Sequence, residues 1–450
     1  MEKRKRKEFV MVLAILNGIL CVIFTLCYLY QFFYIFVAYV FGVKKFEDAP
    51  PKNIAVLISA RNESGVIANL LRSLAEQDYS KEHYRVFVVA DNCTDNTAEI
   101  ARAEGAYVYE RFNDVEKGKG YALDYLIKAI KADFGEDAYD AFIVFDADNV
   151  AEKNYITEMN KAYSAGYEVV TSYRNASNYG AGWRAAGQGM YFLRDARILN
   201  MARMRLNCNT FVTGTGFLFS NAVATANGGW PFHCLTEDGE FTMDNCVKKI
   251  KTGYCHDAIF YDEQAVDIKN SWYQKLRWCK GGLQIFSKYL GSLIKGIFSR
   301  RCLTSFDMAM CLTAAYALSL IAVLVNVIGG AITLILDISQ LWHVLIPMGI
   351  VVVGAYLALF VFSAFATVSE WKRIRASGFK KVLYCFTFPI FIFTFIPAAA
   401  VALFKKVEWK PVRHSGETTD GKAPVAEVAS LEAEATTEET VVEEKTEENA

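Results

Sequence analysis

The stretch "YDAFIVFDADNV", Tyr139 to Val150, sets Asp146 and Asp148 directly behind a run of Phe, Ile, Val and Phe. A run apolar on both faces belongs in the middle of a parallel sheet, whose carboxyl edge opens onto the crevice where such sheets bind ligands. Residues two apart on a strand share a face, so the two carboxylates arrive side by side. They repel one another unless something positive sits between them, and a hard divalent cation with oxygen ligands meets that need. For this fragment alone a solvated Asp turn is the plain alternative, because D-x-D is a short pattern.

Toward the N-terminus the arrangement repeats. "NIAVLISARNES", Asn53 to Ser64, runs an apolar strand into a polar turn, and "VIANLLRSLAEQD" then carries leucines at helical spacing. "YRVFVVADNCTDNT" is a second strand, with Asp91 and Asp95 at its carboxyl end and a helix expected from about Thr94. Strand, helix, strand, helix and a third strand ending in D-A-D predict an α/β domain with a parallel sheet and its carboxylates on one edge. "EKGKGYALD" adds Lys119 between Gly118 and Gly120. The lysine suits phosphate as a point cation, and the glycines allow close backbone approach. A surface lysine in a glycine turn is the alternative. Neither G-x-x-x-x-G-K-[ST] nor G-x-G-x-x-G occurs, which removes the main support for a kinase or a dehydrogenase.

Two later fragments carry further chemistry. "FHCLTEDGEF" groups Thr236, Glu237 and Asp238 ahead of a helix-like run, so one carboxylate can sit at a helix start while another points into the cleft as a general base. "SWYQKLRWCKGG" sets Gln274, Arg277 and Trp278 at i, i+3 and i+4, one helix face carrying an amide, a guanidinium and an indole. Arg suits a leaving diphosphate, and Trp suits a sugar ring stacked on its face. Taken singly, these read equally as a surface acid cluster and an amphipathic interface helix.

Around this middle region the chain is apolar. Residues 10–42 hold no formal charge, more than the roughly 20 residues one crossing requires. Further apolar stretches lie at about 308–336, 341–368 and 382–404. The first run is long for one span and short for two, and Pro389 and Pro397 could kink the last into an interfacial helix. The basic connector "EWKRIRASGFKK", Glu370 to Lys381, is expected to be cytoplasmic, which places the middle domain in the cytosol as well. The basic ends "EKRKRK" and "KKVEWKPVRH" do not fit that bookkeeping with single crossings. The eleven cysteines form no C-x-x-C pair and read as buried thiols of a reducing compartment, and the five histidines show no zinc spacing. From Glu417 onward eleven acids and two lysines predict a disordered tail, and without it the net charge of −1 becomes about +8, as suits a chain beside anionic lipid.

Taken in order, "SARNES", "ADNCTDNT", "KGKGYALD", "FDADN", "TGTGF", "GGW", "TED" and "QKLRW" closely resemble the membrane-bound family 2 glycosyltransferases. These include cellulose, chitin, hyaluronan and poly-N-acetylglucosamine synthases and some glycolipid glucosyltransferases. The resemblance spans about Ile54 to Gly282 and implies a GT-A, Rossmann-like α/β fold flanked by transmembrane helices. It implies that Asp91 contacts uracil and ribose, with Asn62 and Glu63 near the nucleotide, and that Lys119 and Asp146 bind the nucleotide sugar. Asp146 and Asp148 would hold Mg²⁺ or Mn²⁺ under the diphosphate. Asp238 would be the catalytic base, with Glu237, Gln274, Arg277 and Trp278 at the pyrophosphate and acceptor. One base and one metal suit a single displacement with inversion.

The expected organisation is a membrane segment over 1–45, a cytosolic GT-A domain over 46–300 that includes the interface helix, a membrane region over 301–410 and an acidic tail over 411–450. The expected partners are a UDP-sugar, a polysaccharide or lipid acceptor, the bilayer and an accessory membrane subunit, with no nucleic acid. Only four or five hydrophobic segments flank the domain and no gating loop of the larger cellulose synthases is evident, so a polysaccharide product and a glycolipid product both stay open. A non-catalytic nucleotide-sugar sensor is disfavoured by the intact motifs, and a transporter by the scarcity of charge inside most spans.

Overall fold

The computed structural model describes residues 2–312, 318–336 and 342–408. Eight strands, β1 (Ile54–Ala60), β2 (Tyr84–Asp91), β3 (Tyr107–Arg111), β4 (Ala141–Asp146), β5 (Val150–Ala151), β6 (Val169–Ala176), β7 (Phe217–Ser220) and β8 (Thr252–Asp262), form one sheet. Its order is β3-β2-β1-β4-β7-β6-β8-β5. Along β1, Ile54, Val56 and Ile58 enter one core while Ala55 and Leu57 enter the other. Both faces are covered, so the strands show no polar alternation. Each fully buried large apolar side chain contributes roughly 1.5–3 kcal/mol, which makes the sheet a rigid base for its edge.

β3, β2, β1 and β4 are parallel, as the sequence predicts. Beyond β4 the expectation of a parallel sheet is corrected: β7 runs antiparallel to both β4 and β6. The reason lies in "TGTGF", where Gly214 and Gly216 take φ of 86° and 62° and Gly216 N–H donates to Val144 O at 2.8 Å. β7 thus starts at the carboxyl-terminal end of β4 and runs back along it, from Phe217 beside Val144 to Ser220 beside Ala141. The helix expected from about Thr94 begins at Thr97. Asp95 accepts from Thr97 N (3.1 Å) and from Ser64 N (3.2 Å), which makes the preceding residues a tie between two loops.

The first apolar run is one continuous helix, Glu2–Val40, which settles the choice between span and hairpin. It contains no proline and a single glycine, Gly18, so nothing in it breaks the ladder. Among the described residues three segments are long and apolar enough to cross a bilayer: Glu8–Val40, Leu345–Ser369 and Gly378–Phe404. The stretch expected at about 308–336 is described in two parts, on either side of residues 313–317. Its first part belongs to the helix Cys302–Leu312, held to the domain by a buried bidentate pair between Asp307 and Arg203 (2.6 and 3.1 Å) whose side chains are 0% and 1% exposed. Tyr30 of the N-terminal helix also donates to Asp307 (2.9 Å). Residues 313–317 lie outside the described residues, and the helix Ser319–Leu336 follows. The last segment breaks at Thr394, between helices Gly378–Phe393 and Phe395–Phe404, where Pro397 lacks the N–H that would continue the ladder. The acidic tail lies outside the described residues.

A composite helix joins the two parts of the molecule. Trp183–Arg194 continues through a π turn, Asp195–Asn200, into Met201–Arg205. It packs against the N-terminal helix and against helices Trp342–Ser369 and Gly378–Phe393. The basic connector after Ser369 docks on the sheet: Glu370 takes Arg197 (2.7 Å) and the Tyr173 hydroxyl (2.8 Å), and Asn175 donates to Arg373 O (2.8 Å). Arg373 also lies 2.6 Å from His256 Nε2. Burial, with the Arg373 charge added, pushes His256 down to about 3. The ring is therefore neutral at pH 7 and accepts from Arg373.

Candidate active site

The carboxyl ends of β1, β2 and β4 bring the acidic turns to one edge. Asp146 and Asp148 are half-buried and flank the buried Ala147, which puts both carboxyls on the open side. The "TGTGF" turn shapes this loop from behind: Thr215 Oγ accepts from Asp146 N at 2.8 Å and bonds to Asn149 Oδ1. Lys119, at the first position of helix Lys119–Phe134, pairs with Asp146 and donates to Gly214 O (2.8 Å). Gly118 at φ 129° begins that helix. Gly120 has a packing role, not the ligand approach expected of it, because a Cβ there would meet Phe232 O at 2.0 Å.

Two half-exposed carboxylates with hard oxygen donors and an open side fit a divalent cation that completes its shell from a ligand. Among the described residues no group of three His, Cys, Asp or Glu side chains is gathered to hold a metal alone.

The other acids of this edge are built into the frame. Asp91 accepts from Arg111 at 2.7 Å with only 5% of its side chain exposed, and Arg111 also reaches Glu116 O (2.9 Å). Asn62, at φ 58°, accepts from Thr94 N (2.8 Å), and Glu63 N donates to Thr97 Oγ (2.9 Å). These contacts lock the β1 and β2 turns together. Asp91 in this structure holds Arg111 and is not presented openly to a base or ribose.

The second half of the site comes from helix Glu237–Val247 and the interface helix Ile268–Ile297. Glu237 and Asp238 open the former, Glu237 buried and Asp238 half-buried toward the cleft. A Cβ on Gly214 would meet Asp238 Oδ2 at 3.4 Å, so the carboxyl lies against the residue whose carbonyl receives Lys119. Asp238, Gly214, Lys119 and Asp146 therefore form one contiguous set. Burial raises both acids above ordinary carboxylate values, and the Asp238 charge raises Glu237 further, while Arg277 and Lys119 oppose the rise. A carboxylate kept basic in this way suits general-base work.

The three interface-helix residues divide their tasks. Arg277 donates to Leu235 O (3.0 Å), beside the T-E-D turn. Gln274 accepts from Gln188 Nε2 (2.9 Å). Trp278 is half-buried and lies nearly parallel to Tyr191 (6.1 Å, 24°) and Phe395 (6.2 Å, 16°). Gly281 brings this helix onto the T-E-D turn, since a Cβ there would meet Thr236 Oγ at 2.2 Å. Ala398, Ala399 and Ala402 of the final helix pack on its other side with Leu276 and Cys279.

Sequence reasoning missed Arg174. It ends β6 paired with Asp262, donates to Thr213 O and stacks on Phe192 at 3.5 Å. Burial disfavours its charge, but Asp262, with Asp146 and Asp148 farther out, pushes its pKa net upward. It also helps hold down Asp238. The only signal was a lone arginine near the end of an otherwise neutral strand, "VVTSYRNA".

Residues 50–281 match the family model described as "Glycosyltransferase like family 2". The chain belongs to glycosyltransferase family 2. It is similar to "Probable glycosyltransferase YdaM" of Bacillus subtilis (strain 168), 26% identical over 263 residues, 54% of this chain and 58% of that protein. It is also similar to the beta-monoglucosyldiacylglycerol synthase of Synechocystis sp., 24% identical over 255 residues, 54% of this chain and 53% of that protein. The poly-beta-1,6-N-acetyl-D-glucosamine synthase of Staphylococcus epidermidis is 23% identical over 265 residues, 56% of this chain and 60% of that protein. The chain thus spans about half the length of the curated relatives it matches. A solved mannosyltransferase, PcManGT from Pyrobaculum calidifontis in complex with GDP-Man and Mn²⁺, superposes with a TM-score of 0.55 at 15% identity, covering 88% of this chain and 99% of that one. The shared feature is the fold: this family 2 chain is GT-A-like with a mixed sheet.

Proposed function

We propose that this family 2 enzyme is membrane-integrated and moves a sugar from a UDP-sugar to a growing exported polysaccharide, with inversion at the anomeric carbon. The observation that carries the reading is the contiguity of Asp238, Gly214, Lys119 and Asp146 at one sheet edge. Asp238 takes the proton from the acceptor hydroxyl as its oxygen bonds to the anomeric carbon, and the bond from that carbon to the diphosphate oxygen breaks with UDP leaving. Asp146 and Asp148 would hold Mg²⁺ or Mn²⁺, which when bound neutralises charge on the departing diphosphate. Lys119 and Arg277 supply fixed positive charge on either side. Asn62, Glu63 and Asp91 frame the nucleotide edge through the contacts above. Trp278 offers an aromatic face for the acceptor sugar, with Gln274 one turn earlier on the same helix and Glu237 next to Asp238.

The connector Glu370–Lys381 docks on the catalytic domain, which supports placing both on the same, cytosolic, side of the bilayer. A lipid acceptor is the second reading. It is favoured by the position of Phe395, which begins the second half of a candidate membrane segment and lies against Trp278. Membranes carrying the full chain, incubated with a panel of UDP-sugars, test both readings through UDP release and product size. A polymer ladder is expected. A single extractable glycolipid replaces the first reading by the second, and no UDP release from any donor removes both.

A further inference from the structure

Away from the catalytic edge, a cavity of about 280 Å³ opens where the interface helix turns into the helix Cys302–Leu312. Lys251, Arg300 and Arg301 line it together with Asn207, Asn209 and Thr304, and no carboxylate is among its described lining residues. Arg300 and Lys251 are exposed, and Lys251 lies 4.2 Å above the Tyr167 ring. The Arg301 guanidinium donates to Asn209 Oδ1 (3.4 Å). Asn209 and Thr304 are buried and linked by Asn209 N donating to Thr304 Oγ (3.3 Å), so the floor is polar and fixed. The helix Cys302–Leu312 starts on the wall, and its first-turn N–H groups add positive potential to that of the side chains.

The surroundings set this cavity near the end of a candidate membrane segment, Glu8–Val40. Arg205, adjacent in sequence to the lining residue Leu206, donates to Gly42 O (3.0 Å) and Val43 O (2.6 Å), the residues just past the end of the apolar N-terminal helix. Phe298 is 87% exposed and Leu303 39% exposed beside the cations. An apolar rim around three cations and a polar floor is complementary to a phosphate that carries acyl chains. We propose that this cavity binds a phosphate-bearing anion, with the headgroup of an anionic membrane lipid as the occupant that also uses the apolar rim.

The test measures binding of dioctanoyl phosphatidic acid, dioctanoyl phosphatidylcholine and inorganic phosphate to the purified full chain in neutral detergent by titration calorimetry. Wild type is compared with Arg300→Gln, Arg301→Gln, Lys251→Gln and the triple variant. Lys128→Gln serves as a basic control elsewhere on the surface. Each removed charge should weaken phosphatidic acid binding about fivefold, and the triple variant by about a hundredfold. Phosphatidic acid binding more tightly than inorganic phosphate, with both weakened by the variants, supports the lipid headgroup. Inorganic phosphate binding equally tightly and with the same dependence supports the site with a soluble phosphate as its ligand. The proposal is overturned if the triple variant binds phosphatidic acid within twofold of wild type, or if phosphatidylcholine binds as tightly as phosphatidic acid. Arg300 is exposed, so Arg300→Gln is expected to fold and keeps the test decisive where the triple variant does not.

Discussion

The two halves of the catalytic edge solve opposite electrostatic problems. On the side of β1, β2 and β4, acids are already matched by cations: Asp91 by Arg111, Asp146 by Lys119. On the side of the interface helix, Glu237 and Asp238 are adjacent acids withdrawn from water and raised in pKa. The first half is prepared for a ligand that brings negative charge of its own, because its lysine and its open metal acids can be re-partnered. The second is prepared to accept a proton, because burial makes the ionised acid costly. One edge can thus take a diphosphate and a proton at once without either spoiling the other.

The largest effect that would test this division is Asp238→Asn. It keeps size and most hydrogen bonds, removes the proton acceptor, and should lower transfer by about 10² to 10⁴ with UDP affinity retained, as read from steady-state rates and UDP titrations. Glu237→Gln is the control. If it alone abolishes turnover while Asp238→Asn stays near wild type, the base has been assigned to the wrong acid.

Next comes pH. Because burial raises Asp238 above its ordinary carboxylate value, it takes up its proton at a higher pH than an exposed aspartate does, and on the acid side the rate should drop by up to about tenfold per pH unit. Stability should run the other way. A raised folded-state pKa contributes stability at low pH that is lost as pH rises through the folded value. Glu237→Gln should therefore flatten the fall in unfolding midpoint between acid and neutral pH. A rate independent of pH from 5 to 8 would remove the case for a buried base.

The metal half predicts a smaller change in affinity. Asp148→Ala should weaken UDP binding in Mn²⁺ by about tenfold, and chelation of wild type should stop transfer until Mn²⁺ or Mg²⁺ is restored. Full turnover in excess chelator would mean that Lys119 and Arg277 neutralise the leaving group unaided. Smallest is Trp278→Ala, which should raise the acceptor KM about fivefold, on the order of 1 kcal/mol, with UDP affinity unchanged. An equal loss in both would make the indole a packing element of the stack with Tyr191 and Phe395.

The parallel half of the sheet was legible because both-face burial leaves an unmistakable apolar run ahead of each acidic turn, as in "AFIVFDAD". The T-E-D and Q-x-x-R-W residues were legible as helix starts and helix faces. What sequence did not disclose is pairing across distance. Arg111 beneath Asp91 and Arg174 beside Asp262 come from strands with no motif, and each partner lies 20 or 88 residues away. The reversal of β7 escaped because its cause is two positive-φ glycines, and a glycine in sequence does not state which way the chain turns. The pairing of Asp307 with Arg203, 104 residues away, escaped for the same reason as those of Arg111 and Arg174.

The docking of Glu370 has a consequence for where sugar transfer takes place. Glu370 directly follows the segment Leu345–Ser369, and through Tyr173 it grips the strand that one residue later carries Arg174, the partner of Asp262. A flexible tether would let the catalytic edge bob above the lipid surface and meet acceptors at many depths. A knot of buried side chains holds the sheet to the end of that segment instead, like a tool post bolted to its bench. The placement of that strand against the candidate span is then fixed by the fold itself.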